Sequence, residues 1–211
     1  MKNKILLGSV TLLSALMVAA CGNGEKKATE TTAAQTTEVT TATPTTTAPT
    51  KTAGSSSEVK EISLSDTQRI GTADTGYVNI PKDWTKGSEN KVLYASPDQY
   101  NAVALYNFTK DKVELRSGET FSAELIANRT YSNLKGSGDV DQIKGAKVKF
   151  AGEQAFLIKV LYKDGKYYYC WVFQKGEIVY ALEVEGSEDM LNALRPVFEQ
   201  TWGLDAKNPG Q

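Results

Sequence analysis

Four strand-like segments follow one another between residues 143 and 185, and they constrain the fold more than any other feature of the chain. They cover 143–150, 154–162, 166–174 and 177–185. Between them sit Ala151-Gly152, Asp164-Gly165 and Lys175-Gly176. A glycine at the second position of a short turn supplies the positive φ that a two-residue hairpin needs. The direct reading is an antiparallel meander. In 154–162, Ala155, Leu157 and Leu161 point to one face and Phe156, Ile158 and Val160 to the other. A sheet that is apolar on both faces must be covered on both.

Cover is legible after the meander. Ser187 is placed to cap a helix, Glu188 and Asp189 follow in its first turn, and Met190, Leu191, Leu194, Val197 and Phe198 fall on one helical face. Pro196 lies inside that pattern and is expected to kink the helix or divide it in two. A second helix is predicted before the meander, capped by Ser117 with Glu119 near its positive end, running to about Asn133 and ending at Gly136-Ser137-Gly138. Earlier segments at 77–80, 91–95 and 102–108 read as strands, the first stopped by Pro81 and the last two joined through Ser96-Pro97-Asp98. The folded unit is assigned to 58–205, with 206–211 as a disordered tail. A chain of that size buries roughly 68–70% of its unfolded surface, enough for one core. The fold class is therefore α+β: helices packed on a mainly antiparallel β-sheet.

The N-terminal part is of different composition. Residues 1–20 carry Lys2 and Lys4, then an apolar run interrupted only by Ser9, Thr11 and Ser14, ending in Val18-Ala19-Ala20-Cys21. The run is short of the roughly 20 apolar residues a transmembrane helix requires. It resembles the lipobox of bacterial lipoproteins, an aliphatic and two small residues before an invariant cysteine. That resemblance implies diacylglyceryl attachment and palmitate-type acylation at Cys21, cleavage of the signal peptide before it, and a protein held on the extracytoplasmic face of the cell membrane. Residues 21–57 then form a Thr-rich stretch with Pro44 and Pro49 and almost no large apolar residue. Such a segment is expected to be disordered, a linker with an end-to-end distance of roughly 30–36 Å. It reads as a bare spacer, with O-glycosylation as the alternative.

The element order, together with Ile80-Pro81-Lys82-Asp83-Trp84, resembles the PsbP-like fold over residues 76–202. The resemblance implies an αβα sandwich around an antiparallel sheet. It implies no binding residue and no single function, because that fold serves photosystem subunits, import factors and lipoproteins alike.

Composition excludes several chemistries. The chain has no histidine, so Ser-His-Asp and Cys-His nucleophiles and His-ligated metals are ruled out. A net charge of −1 gives no basic footprint for nucleic acid. No catalytic, cofactor-binding or metal-ligating residue is assigned; the one site residue is Cys21, for lipid attachment. Cys170 has no partner once Cys21 is acylated and reads as a small buried hydrophobe; a nucleophilic role would need a nearby Lys or helix N-terminus. The aromatic group Tyr167, Tyr168, Tyr169, Trp171, Phe173 and Tyr180 reads as core, with an exposed stacking platform as the alternative. Asp139-Val140-Asp141 fails as a calcium loop because Ile143 takes the next ligand position. The sequons at Asn107 and Asn128 are coincidental in such a protein.

Together these features lead to a non-enzymatic, membrane-anchored binding or accessory module. Its partners are the bilayer, through acylated Cys21, and an envelope protein, a glycan or a small ligand. Such a module should hold an apolar cleft of a few hundred Å³. The alternatives are a carboxylate-dependent envelope hydrolase, which needs two carboxyl groups about 5–10 Å apart, and a purely structural subunit of an envelope complex.

Overall fold

The computed structural model describes residues 61–87 and 92–210. The signal segment, Cys21 and the Thr-rich linker lie outside these residues.

The four-stranded meander is present as read: β6 (Val140–Phe150), β7 (Glu153–Tyr162), β8 (Tyr167–Lys175) and β9 (Ile178–Gly186). Each pairs antiparallel with the next. β5 (Ala102–Phe108) adds to the free side of β9, then β4 (Val92–Ala95) and the two-residue β3 (Thr85–Lys86). The seven-stranded order is β3-β4-β5-β9-β8-β7-β6, with every described pairing antiparallel.

Both faces are covered, each by its own core. On one face, α1 (Ala123–Lys135) places Ile126, Ala127 and Leu134 against Ile158, Val160, Cys170 and Val172. On the other, α2 (Glu188–Thr201) and a separate hairpin, β1 (Thr67–Thr72) with β2 (Gly76–Pro81), bury Trp171, Phe173, Leu182 and Phe198. Burying a side chain such as Leu191, Leu194 or Phe198 contributes about 1.5–3 kcal/mol. The architecture is the α+β sandwich expected, with the hairpin sharing one helical layer.

The start of α1 is corrected, and of the two alternatives for α2 the division at Pro196 falls away. α1 begins at Ala123, capped by Ser122, whose hydroxyl accepts from the Leu125 N–H at 3.1 Å. Ser117 caps nothing helical, because Gly118 adopts φ +85° and Arg116 to Glu119 closes a tight turn, the Glu119 N–H reaching the Arg116 carbonyl at 3.0 Å. α2 is a single helix through Pro196. Proline there removes one donor, but Pro196 and Asn192, whose carbonyl is freed, are both exposed, so water replaces the lost bond. β6 also starts three residues earlier than expected, at Val140, with a register shift between Val140 and Gln142 that takes Asp141 out of the loop.

The hairpin is held by a polar network rather than by strand pattern. Arg69 donates to the Thr201 carbonyl at the end of α2 (2.8 Å), to the Asp205 carbonyl (2.6 and 3.1 Å) and to the Asn79 side-chain oxygen (3.2 Å). Asn79 donates from its backbone to the Thr201 hydroxyl and from its amide to the Thr67 hydroxyl, both at 3.0 Å. A cation beside the carbonyl end of α2 also meets the negative end of its dipole. Arg69→Ala strands these acceptors and is expected to cost about 2–3 kcal/mol in urea unfolding, with Arg69→Lys recovering only part because it cannot fork. Equal stability of Arg69→Ala and the parent chain would contradict this assignment.

Candidate functional site

The site is built where β5 leaves the sheet. After Phe108 the chain makes a single helical turn at Lys110–Lys112, the Lys112 N–H bonding the Thr109 carbonyl at 3.0 Å. Val113 drops onto the α1-side core, and the chain then runs through the Gly118 turn to Phe121 and α1. Opposite lies the β8–β9 hairpin, tightened by Gly176 at φ +62°, with the Gln174 amide donating to the Gly176 carbonyl at 3.0 Å. Between these walls is a cleft of about 970 Å³. Phe121 and Ile178 supply apolar lining, Gln174 an amide, and Lys110, Asp111 and Glu177 charged groups. The cleft is larger and more polar than the apolar slot expected.

One ion pair sets the position of the outer wall. The Glu119 carboxylate accepts from the Arg116 N–H at 2.7 Å and from the Arg129 guanidinium of α1 at 2.5 Å. Arg129 also donates to the Glu114 carbonyl at 2.9 Å. The Arg116 backbone bond, followed by Arg129, holds the Glu119 carboxyl below the usual carboxylate range. For a carboxyl depressed in the folded state, the stabilisation is present above its unfolded pKa and is lost as pH falls through the folded value. Amide exchange of residues 110–121, corrected for intrinsic rates, is therefore expected to accelerate selectively on acidification. Glu119→Gln should show the faster exchange already at neutral pH and lose most of the pH dependence. A wall whose exchange ignores both changes would contradict the pairing.

A second polar group occupies the same face of the sheet, farther along β9. The Tyr168 hydroxyl bonds Glu183 and Cys170, and burial is the main cause that pushes both the phenol and the thiol well above their ordinary values. Tyr106 and Tyr162 are raised likewise, by burial first, then by the Glu183 charge for Tyr106 and by the Glu185 and Glu183 charges for Tyr162. Cys170 is fully buried and held as a neutral thiol, which is the chemistry of a small hydrophobe and not of a nucleophile. Glu185 pairs with Lys166 at 3.1 Å. Glu183 and Glu185, two residues apart on β9, thus share a face, a pairing that the sequence reading passed over although the Glu-x-Glu spacing on a strand signals it. Glu183 lies five residues along β9 from Ile178, roughly 17 Å, so this pair does not line the cleft.

The aromatic group is core: Tyr168, Tyr169, Trp171, Phe173 and Tyr180 are buried, and only Tyr167 is half-exposed. Phe173 and Tyr180 stack with centroids 5.9 Å apart, and Trp202 meets both edge-on at 4.6 and 5.2 Å. Asp139 and Asp141 belong to no metal cluster: among the described residues no group of three or more Cys, Asp or Glu side chains converges on one point. Among the same residues no helix is long and apolar enough to cross a membrane.

No family model matches this chain, and no curated protein does. Among solved structures it is similar to the cyanobacterial PsbP of Synechocystis sp. PCC 6803, at 15% identity over 70% of this chain and 94% of that one, with a TM-score of 0.40. It is also similar to LpqN of Mycobacterium tuberculosis, described as involved in cell envelope biogenesis, at 16% identity over 68% and 97%, with a TM-score of 0.41. The layered architecture rests on this chain's own strands and helices.

Proposed function

We propose that this chain is a lipid-anchored module on the outer face of the cell membrane, and that it binds an envelope partner or small ligand without transforming it. Acylated Cys21 is the anchor, residues 21–57 are the leash, and the cleft of about 970 Å³ between the 109–121 wall and the β8–β9 hairpin is the binding site. The cleft is the observation that carries the reading. Leu115, Phe121 and Ile178 offer it apolar surface, and Lys110, Asp111, Gln174 and Glu177 offer polar groups to orient a ligand. Farther along the same sheet face, the buried Cys170 thiol and Tyr168 phenol are kept protonated and have no ready nucleophilic chemistry.

The test uses the full-length chain extracted from membranes in mild detergent and examined by native mass spectrometry and by photo-cross-linking in cells. A retained molecule or a cross-linked envelope protein is expected from the parent chain. It should be lost when Thr120, which lines the cleft, is replaced by tryptophan to fill it. An identical spectrum and cross-link pattern for Thr120→Trp would overturn the assignment.

A second reading is favoured by one observation, the two carboxylates on one face of β9. In that reading Glu183 and Glu185 would be the acid pair of an envelope glycan hydrolase. It requires release of soluble fragments from purified wall glycan, abolished by Glu183→Gln or Glu185→Gln. Release that persists in both variants, or no release at all, excludes it.

A further inference from the structure

The two edges of the seven-stranded sheet are treated differently by this fold. One edge is β3, only two residues long, which offers little backbone to a stranger. The other is β6, eleven residues long and paired on one side only, with β7. From Asp141 to Lys149 its residues are exposed except Ile143 and Val148, and Gly145-Ala146 leaves its middle almost bare of side chain.

Its charges are unevenly satisfied. Lys147 faces the α1 side, where it meets Glu124 at 3.6 Å and lies over the Phe156 ring. Lys144 and Lys149 make no ion pair among the described residues. Lys144 also stands directly across from Lys159 of β7. Lys159 itself leans over the Tyr169 ring at 4.4 Å. Two like charges directly opposite in an antiparallel pair are destabilising. The fold bears that cost on its exposed edge, where an incoming carboxylate would relieve it.

We infer that β6 is a docking strand for an acidic, extended segment of a partner protein, which adds antiparallel or parallel to its free edge over residues 142–149. Backbone hydrogen bonds supply the adhesion and the lysines choose the partner. The same charges argue against a second copy of this chain. Two β6 strands side by side would set three lysines of each copy against one aspartate of each. Lys149 shares the α1 face with Lys147, whereas Lys144, five residues from Lys149, lies on the opposite face, so the incoming strand must carry acidic residues on both of its faces. The surface lies on the opposite side of the sheet from β3 and does not depend on the cleft.

The test uses the full-length chain carrying Cys21→Ser, so that no lipid anchor contributes. The probe is a blocked eight-residue peptide of two Glu-Glu-Thr-Thr repeats, whose carboxylates reach both faces of the sheet. Its lysine counterpart, inorganic polyphosphate and vesicles of anionic phospholipid serve as controls. The acidic peptide is expected to bind and to slow amide exchange of the outward N–H groups of residues 142–149. Its affinity should fall about tenfold in Lys144→Glu/Lys149→Glu and be unchanged in Lys86→Glu on the opposite edge. Three results would overturn the inference. These are no protection of β6, an equal loss in Lys86→Glu, or displacement of the peptide by polyphosphate or vesicles with the β6 amides exchanging freely throughout. The last would mark a diffuse anion-attracting patch rather than strand addition.

Discussion

Cys21→Ser is expected to move the protein from the membrane pellet to the soluble fraction almost completely. A diacylglyceryl thioether buries two chains, and each CH₂ contributes about 0.8 kcal/mol, so removal of the thiol abolishes an attachment that the rest of the chain cannot replace. The remaining sequence, without Lys2 and Lys4, is more acidic than basic and has no electrostatic reason to stay on an anionic bilayer. Fractionation with mass spectrometry of the N-terminal peptide decides the matter. An acylated, truncated peptide beginning at Cys21 in the parent chain, and a membrane-free variant, is the expected pair of results. A variant that stays in the pellet, or an unmodified Cys21, would refute lipid anchoring and with it the placement on the outer face.

The largest effect on folding is expected at Gly71. It closes the β1–β2 hairpin at φ +134°, where an L side chain is rarely tolerated. A Cβ there would stand 2.1 Å from the Gly76 carbonyl oxygen and 2.7 Å from the Tyr77 Cα. Both are backbone atoms of the facing strand, so no rotamer change relieves the clash. Gly71→Ala should therefore cost about 4 kcal/mol or more, through strain at a special φ and loss of hairpin pairing. For a domain of this size that corresponds to a fall in Tm of roughly 8–15 °C. The hairpin carries Ile70, Val78 and Ile80 into the core beside Trp202, so the variant should also show red-shifted tryptophan emission. Gly152→Ala is the control: it too has a positive φ, +83°, but a Cβ there meets nothing within 4 Å. If the two variants unfold alike, φ alone and not the close approach is responsible.

The meander and α2 were legible because their signals are local. Alternation of period two, glycine turns and a one-sided helical stripe each depend on a few neighbouring residues. β1 was missed for the opposite reason. Thr67-Gln-Arg-Ile-Gly-Thr72 has one buried aliphatic residue, Ile70, and it is a strand because Arg69 and Gln68 find carbonyl acceptors far along the chain. The start of α1 was misplaced because Ser117 and Ser122 have equal capping chemistry. The choice between them fell to Glu119, which is bound by Arg129 ten residues away. Pro196 did not divide α2 because burial of Val197 and Phe198 on its far side holds the helix together while its own side faces water.

What the sequence by itself determined was the class of the fold, the buried role of the meander's aromatics and the chemistries that a histidine-free chain lacks. These follow from periodicity and composition, which act over a few residues or over the whole chain at once. Tertiary structure alone decided where the cleft lies, that the face holding Glu183 and Glu185 also holds buried Tyr168 and half-buried Tyr106 and Tyr162, and that β6 is left as a long free edge. Each of these depends on which strand becomes the neighbour of which, and strand order is settled by the summed burial of both sheet faces, a quantity that no short window of residues contains.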